Sequence, residues 1–203
     1  VKTGDVMNDA AIHYGKIATN KWLKDNHLQA GQYILATIHR AESTNDPTCL
    51  KKLITGLDQV SRMYFPIVWP IHPRTKKFID ENNELKQLLS RTEIILIDPV
   101  GYLDMVCAEK NARLIITDSG GVQKEAFFHK VMCVTVRTET EWVELVNSGW
   151  NVIAGLEPTN IVNCVGIMLE KSPPDLPYPD FYGSGKAGER IVRSIIEWRE
   201  SNA

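Results

Sequence analysis

Six short apolar runs punctuate the chain: Tyr33 to Ile38, Ile67 to Ile71, Glu93 to Ile97, Arg113 to Thr117, Cys133 to Val136 and Asn151 to Ala154. They are rich in β-branched residues. Stretches such as Leu114-Ile115-Ile116 are continuously apolar rather than alternating, as suits strands covered on both faces. Between them apolar residues fall at helical spacing over Pro47 to Tyr64, Arg74 to Leu89, Tyr102 to Asn111, Gly121 to Phe128 and Pro158 to Leu169. Strand and helix alternate six times, which predicts an α/β fold with a doubly wound parallel sheet. Ligands bind such sheets outside the carboxyl ends of the strands.

Two segments lie outside this alternation. Asp5 to Asn26 predicts one long leading helix, so residues 1–26 are set apart from a sheet domain over 27–172. The rest, 173–203, reads as a Pro-rich linker over 173–179, a turn at Tyr182-Gly183-Ser184-Gly185 and a terminal helix from Gly188 to Glu200. A final helix after an extended linker suits packing elsewhere, including on another domain. The chain begins with Val1 rather than Met and runs almost directly into helix-like sequence, as expected of a piece of a longer protein.

Composition narrows the partners. With 203 residues, 43% of them hydrophobic, the chain is long enough to bury a core in one domain. A net charge of −2 gives no overall field for nucleic acid or an anionic membrane, so an anionic ligand needs a local site and the expected partner is small. No run reaches the roughly 20 apolar residues a bilayer span needs, and no signal-peptide pattern opens the chain. Cys49, Cys107, Cys133 and Cys164 lack CxxC spacing and read as reduced thiols of a cytoplasmic protein.

The candidate chemistry follows the strands. After Ile38 come His39, Arg40 and Glu42: either two cations facing a phosphate, or a packed histidine beside a solvated ion pair. After Ile71 come His72, Arg74 and the solvated-looking pair Lys76-Lys77, again basic at a strand end. The loop Asp98-Pro99-Val100-Gly101 leads into Tyr102-Leu103-Asp104-Met105, where backbone groups could read a flat base edge. After Thr117, Asp118-Ser119-Gly120-Gly121 opens a helix. Glycines let a backbone approach a ligand closely, and free N–H groups at a helix start favour a phosphate. Ser119 is either a donor to it or an ordinary cap. Glu125, one turn on, carries two acceptor oxygens suited to adjacent hydroxyls, and otherwise is an exposed acid. After Val136 comes Arg137-Thr138-Glu139-Thr140-Glu141-Trp142, with Trp142 either core or a platform for a sugar or base.

These residues in this order resemble the non-hydrolysing UDP-N-acetylglucosamine 2-epimerases. The resemblance rests on Thr3-Gly4-Asp5 with Asp9-Ala10, His39-Arg40-Ala41-Glu42, His72-Pro73, Asp98-Pro99 with Tyr102-Leu103-Asp104, Thr117 to Ala126, Arg137 to Glu141, and Tyr182 to Ala187. It implies a Rossmann-like domain, the second of a glycosyltransferase-B-type pair, holding the UDP part of a nucleotide sugar. An absent first domain would supply the acids for proton transfer, so the piece alone is expected to be inactive. For the whole enzyme the resemblance implies inversion at C2 of a UDP-2-acetamido sugar by elimination and re-addition of UDP. It further implies a homodimer and neither metal nor cofactor.

Carried over, His39 is the catalytic residue beside the leaving diphosphate. Ser119, Gly120 and Gly121 hold phosphate, Glu125 grips the ribose hydroxyls and backbone at Met105 meets uracil. Arg40, Glu42, His72, Arg74, Glu141 and Trp142 line the cleft. Trp142-Val143 stands where many members have arginine and proline, and Ala41 where they have a second arginine. The Thr138-to-Trp142 form is similar to members acting on UDP-2,3-diacetamido-2,3-dideoxyglucuronic acid. Two other readings stand beside this one. A UDP-sugar glycosyltransferase domain would share the glycine-rich loop and the glutamate, and a receiver-like binding module would need an acidic cluster that the first strand lacks.

Overall fold

A computed structural model of the chain describes residues 1–171 and 176–202; Pro173, Pro174 and the expected domain limit at residue 172 lie outside the described residues. Strands β1 (Ile34–Thr37), β2 (Ile67–Pro70), β3 (Ile95–Ile97), β4 (Leu114–Thr117), β5 (Cys133–Thr135) and β6 (Asn151–Ile153) form one parallel sheet in the order β3-β2-β1-β4-β5-β6. Each lies inside one of the six predicted runs. The chain steps outward from β1 to β3, then returns to the far side of β1, where β4 pairs with it from Ile34↔Leu114 to Thr37↔Thr117.

The unbroken apolar runs have a direct cause in two cores. Ile34, Ala36, Ile67, Trp69, Leu114, Ile116 and Val134 enter one core with helices α4 (Pro47–Met63) and α10 (Pro158–Glu170). The intervening Leu35, Val68, Ile115 and Cys133 enter the other with α2 (Lys21–Asp25), α7 (Tyr102–Asn111) and α8 (Gly120–Phe128). Alternate side chains of a strand point to opposite faces, so a sheet covered on both sides needs every position apolar. The doubly wound reading holds.

Three helical expectations change. The leading helix is two: α1 (Val6–Ile17) ends where Ala18 turns extended at ψ 124°, and α2 restarts after Asn20. The break lets α2 bury Trp22 and Leu23 against Tyr33 while α1 lies on α7 and α8. Arg74 to Leu89 also divides, into α5 (Pro73–Asp80) and α6 (Asn83–Leu89), because the Asn82 side chain accepts from the amides of Glu84 and Leu85 and caps a new helix. Two short helices were not anticipated: α3 (Ala41–Thr44) and α9 (Val143–Asn147). The terminal helix α11 (Ala187–Ser201) packs on α1 and leaves Val192, Ile195, Ile196 and Trp198 exposed. Among the described residues no helix is long and apolar enough to cross a membrane.

Candidate functional site

β1 and β4 are neighbours from which the chain departs in opposite directions, so a crevice opens at their carboxyl ends. Their last residues are tied together: the Thr37 and Thr117 hydroxyls lie 2.6 Å apart, and Thr117 Oγ1 accepts from the Ser119 amide at 2.9 Å. Asp118, fully buried, reaches across to β1 and accepts from the amides of His39, at 3.2 Å, and Arg40, at 2.9 Å. It therefore consumes the N–H groups of the His39 loop and fixes where both side chains leave the sheet.

On the other side of the crevice α8 begins. Ser119 is its N-cap, accepting from the Val122 amide at a long 3.5 Å. Among the described residues the amides of Gly120 and Gly121 have no acceptor, so two N–H groups stay open at a helix start where the backbone dipole favours an anion. A side chain at Gly120 would come within 3.4 Å of Trp142 Nε1, 3.5 Å of Glu141 Oε2 and 3.9 Å of Arg40 Nη2. The α8 N-terminus is thus ringed by residues of the β1 and β5 loops.

Within the ring the charges are already paired. Arg137 donates two hydrogen bonds to Glu141, at 2.9 and 3.0 Å, and Arg40 approaches the same carboxylate at 3.8 Å. The Arg137 hydrogen bonds above all, with smaller help from Arg40, hold the Glu141 carboxyl down at about 2. Arg40 therefore turns to Glu141 and not to Glu42, which lines a small recess beside it with Arg137 and Glu139. Arg40 remains partly exposed and keeps donors free.

His39 and His72 stack with ring centroids 6.1 Å apart. His72 Nδ1 accepts from the Arg74 amide at 3.2 Å, capping α5, and the Arg74 guanidinium donates to the His39 carbonyl at 2.6 Å. Arg74 thus braces the loop. The two histidines, Val100, Met105 and Val122 line a cavity of about 350 Å³ beside the α8 start. The Met105 amide donates to the Gly101 carbonyl inside α7, so that N–H is not open to the cavity. A larger cavity of about 550 Å³ lies beyond the Pro99-Val100 loop against edge strand β3, and it contains none of the predicted site residues.

Glu125 is half-buried rather than exposed and faces α7, close enough for its charge to raise the pKa of Tyr102. Burial raises its own carboxyl above the ordinary range, against a smaller opposing pull from Lys124. Behind it sits Glu109, fully buried with both carboxylate oxygens unpartnered, 3.8 Å from an equally unpartnered His129 Nε2. Burial, followed by the charge of Glu125, pushes Glu109 well up; burial, followed by Lys110, pushes His129 down to about 4. Among the described residues no group of three or more His, Cys, Asp or Glu is placed to hold a metal ion. All four cysteines are free, Cys107 and Cys133 buried.

A family model described as UDP-N-acetylglucosamine 2-epimerase matches residues 1–196. The chain belongs to the UDP-N-acetylglucosamine 2-epimerase family. It is 41% identical over 197 residues to the UDP-2,3-diacetamido-2,3-dideoxy-D-glucuronate 2-epimerase of Pseudomonas aeruginosa, covering 97% of this chain and 52% of that protein. It is 42% identical over 198 residues to a UDP-N-acetylglucosamine 2-epimerase of Methanococcus maripaludis, covering 95% and 53%. Among solved structures, the Methanocaldococcus jannaschii UDP-GlcNAc 2-epimerase in complex with UDP-GlcNAc and UDP superposes with a TM-score of 0.85 at 40% identity, over 96% of this chain and 54% of that one. The chain spans about half the length of the 2-epimerases it matches.

Several residues that organise the site were not singled out from sequence. Asp118 is one, and its signal was available: an acid directly after a strand and before a capped helix. Lys124 is another. It is buried, with Nζ 2.6 Å from Asp5 and 4.3 Å from the centre of the Trp142 ring. No local pattern announces that contact, because Asp5 lies 119 positions away. Glu109 and His129 carried no signal either, since an acid on a helix is ordinarily read as solvated.

Proposed function

We propose that this chain is the nucleotide-holding part of an enzyme that inverts C2 of a UDP-2-acetamido sugar. The observation that carries the reading is the pair of open amides at Gly120 and Gly121, beside His39 and Arg40 at the switch point of a sheet belonging to this family. In the proposed reaction a base from the remainder of the protein takes the C2 proton. That electron pair forms the C1–C2 double bond, and the C1–O bond breaks with its pair leaving on the diphosphate of UDP. Protonation of C2 from the opposite face and return of UDP to C1 complete the inversion.

Negative charge grows on the diphosphate as it leaves, so donors fixed in advance around it lower the barrier. In this role His39 and the amides of Gly120 and Gly121 face the diphosphate, with Arg40 free to turn from Glu141 towards it. Glu125 accepts from the ribose hydroxyls, and the cavity edged by Val100, Met105 and Val122 takes the base. Arg137 keeps Glu141 neutralised, so this acid does not repel the departing anion.

The test is incubation of the full-length protein with UDP-N-acetylglucosamine, and in parallel with the diacetamido-glucuronate sugar nucleotide, in D2O. The expected product is the C2 epimer carrying deuterium at C2. Transfer of the sugar to an acceptor with no exchange at C2 would mark a glycosyltransferase and refute the proposal.

A further inference from the structure

Two adjacent glycines are a poor way to start a helix, since each costs up to about 1 kcal/mol relative to alanine in a helical conformation. The Ser119 cap, at 3.5 Å, is a weak restraint on them. Something outside the helix must set the direction of the open amides. The Trp142 indole N–H donates to the Gly120 carbonyl at 2.8 Å. That carbonyl and the Gly121 N–H belong to one planar peptide unit and point in opposite directions, so pinning the oxygen aims the N–H.

Trp142 is itself seated from three sides. Its amide donates to Thr140 Oγ1 at 3.1 Å, and that hydroxyl donates to Gln123 Oε1, on α8, at 2.5 Å. Lys124 Nζ sits 4.3 Å from the ring centre, itself held by Asp5, and the Tyr182 ring meets the indole edge-on at 6.5 Å. The one N–H of Trp142 is spent on the Gly120 carbonyl, and its ring is held by Lys124 and Tyr182.

We infer that Trp142 is a positioning residue: through the Gly120 carbonyl it aims the Gly121 amide at the diphosphate, and it serves phosphate recognition without touching the ligand. This rests on the reading of the α8 start as a diphosphate site and adds the element that orients it.

The experiment compares UDP with uridine by calorimetry on the chain and on Trp142→Phe, which keeps an aromatic ring and removes the indole donor with part of the bicycle. Loss of one neutral hydrogen bond predicts UDP binding weaker by about 3- to 10-fold, with uridine binding changed less than about twofold. Thr140→Val, which unseats the Trp142 amide, is expected to show the same split. The Gly121 amide resonance should also shift in both variants without UDP present. Equal weakening of UDP and uridine, or no weakening of UDP, overturns the inference while leaving the diphosphate reading intact. Wild-type chain that binds uridine as tightly as UDP overturns both. Should Trp142→Phe not fold, Thr140→Val and the wild-type Trp142 indole N–H decide the matter. Rapid exchange of that N–H with solvent contradicts the inference, and slow exchange supports it.

Discussion

Glu125 and Glu109 show how the same side chain acquires different work from its surroundings. Glu125 is one helical turn from the open amides and half-buried, with Lys124 as a moderating neighbour. In the proposed role, accepting from two ribose hydroxyls, it acts as the carboxylate, and burial raises its pKa, so affinity is expected to fall as pH drops through that raised value. Calorimetry with uridine, which does not ionise in the acid range, should show the decline beginning above the ordinary carboxylate pKa. Glu125→Ala should weaken uridine and UDP alike by about 1–3 kcal/mol, and Glu125→Gln should flatten the pH profile.

Glu109 has no such partner, and its proton belongs to folding. The native state holds it above the ordinary 4.5, so the native protein binds more protons than the unfolded chain and stability falls as pH rises. His129 works in the opposite sense, its native pKa of about 4 lying below the ordinary 6.5, so stability there rises with pH through that window. Glu125, raised in the same direction, adds to the Glu109 slope, and the raised thiols of Cys107 and Cys133 act in the same sense at alkaline pH. Urea unfolding of Glu109→Gln beside the unmodified chain, as pH rises from 4.5, should show the loss of stability with pH reduced; an unchanged slope would remove Glu109 as its source.

At the scale of elements, the sequence told strands from helices well and told helix breaks poorly. The six strands were legible because a sheet covered on both faces keeps its runs continuously apolar, with the polar residues Thr37, Thr117, Thr135 and Asn151 confined to strand ends. The breaks at Ala18 and Asn82 were not, because a residue that caps a helix also fits within one at modest cost; tertiary burial of Trp22 and Leu85 decides between the two. The close contact of α4 with α10 was equally silent. α4 meets α10 at Gly56, where an added Cβ would lie 2.9 Å from Ile161 Cδ1 and 3.3 Å from the Pro158 Cα. The backbone neighbour cannot yield as a side chain does, so Gly56→Ala is expected to destabilise by about 1–3 kcal/mol despite its better helix propensity. A lower thermal midpoint would register it, and a raised midpoint would show that α10 moves aside.

Across the whole molecule, the matching sequence pieces serve two purposes that composition could not separate. Those at the strand ends gather around the α8 start. Those near the two ends of the chain join instead: the Asp5 amide donates to the Tyr182 carbonyl at 2.9 Å, Asn8 to the Gly183 carbonyl at 2.7 Å, and Asp9 accepts from the amides of Ala187 and Gly188 to cap α11. Gly4, at φ 99° with its Cβ position 2.9 Å from the Tyr182 carbonyl, admits no side chain there. The Asp5–Lys124 ion pair, together with the Tyr182 ring packed edge-on against Phe127 and Phe128, links this junction to the helix that carries Gly120 and Glu125. Site residues held by strand order were therefore readable from sequence, whereas Asp118, Lys124 and the Trp142 contact depend on encounters that only the folded chain makes.

The central claim is that this chain holds a uridine diphosphate through the α8 start and Glu125. Its most direct test is calorimetry of UDP against ADP on the chain itself. Both carry a diphosphate and a ribose, so they differ only in the base that enters the cavity at Val100, Met105 and Val122. The expected result is measurable UDP binding, tighter than ADP by about tenfold or more, a difference of about 1.4 kcal/mol. Equal affinities, or no binding of either, would contradict it.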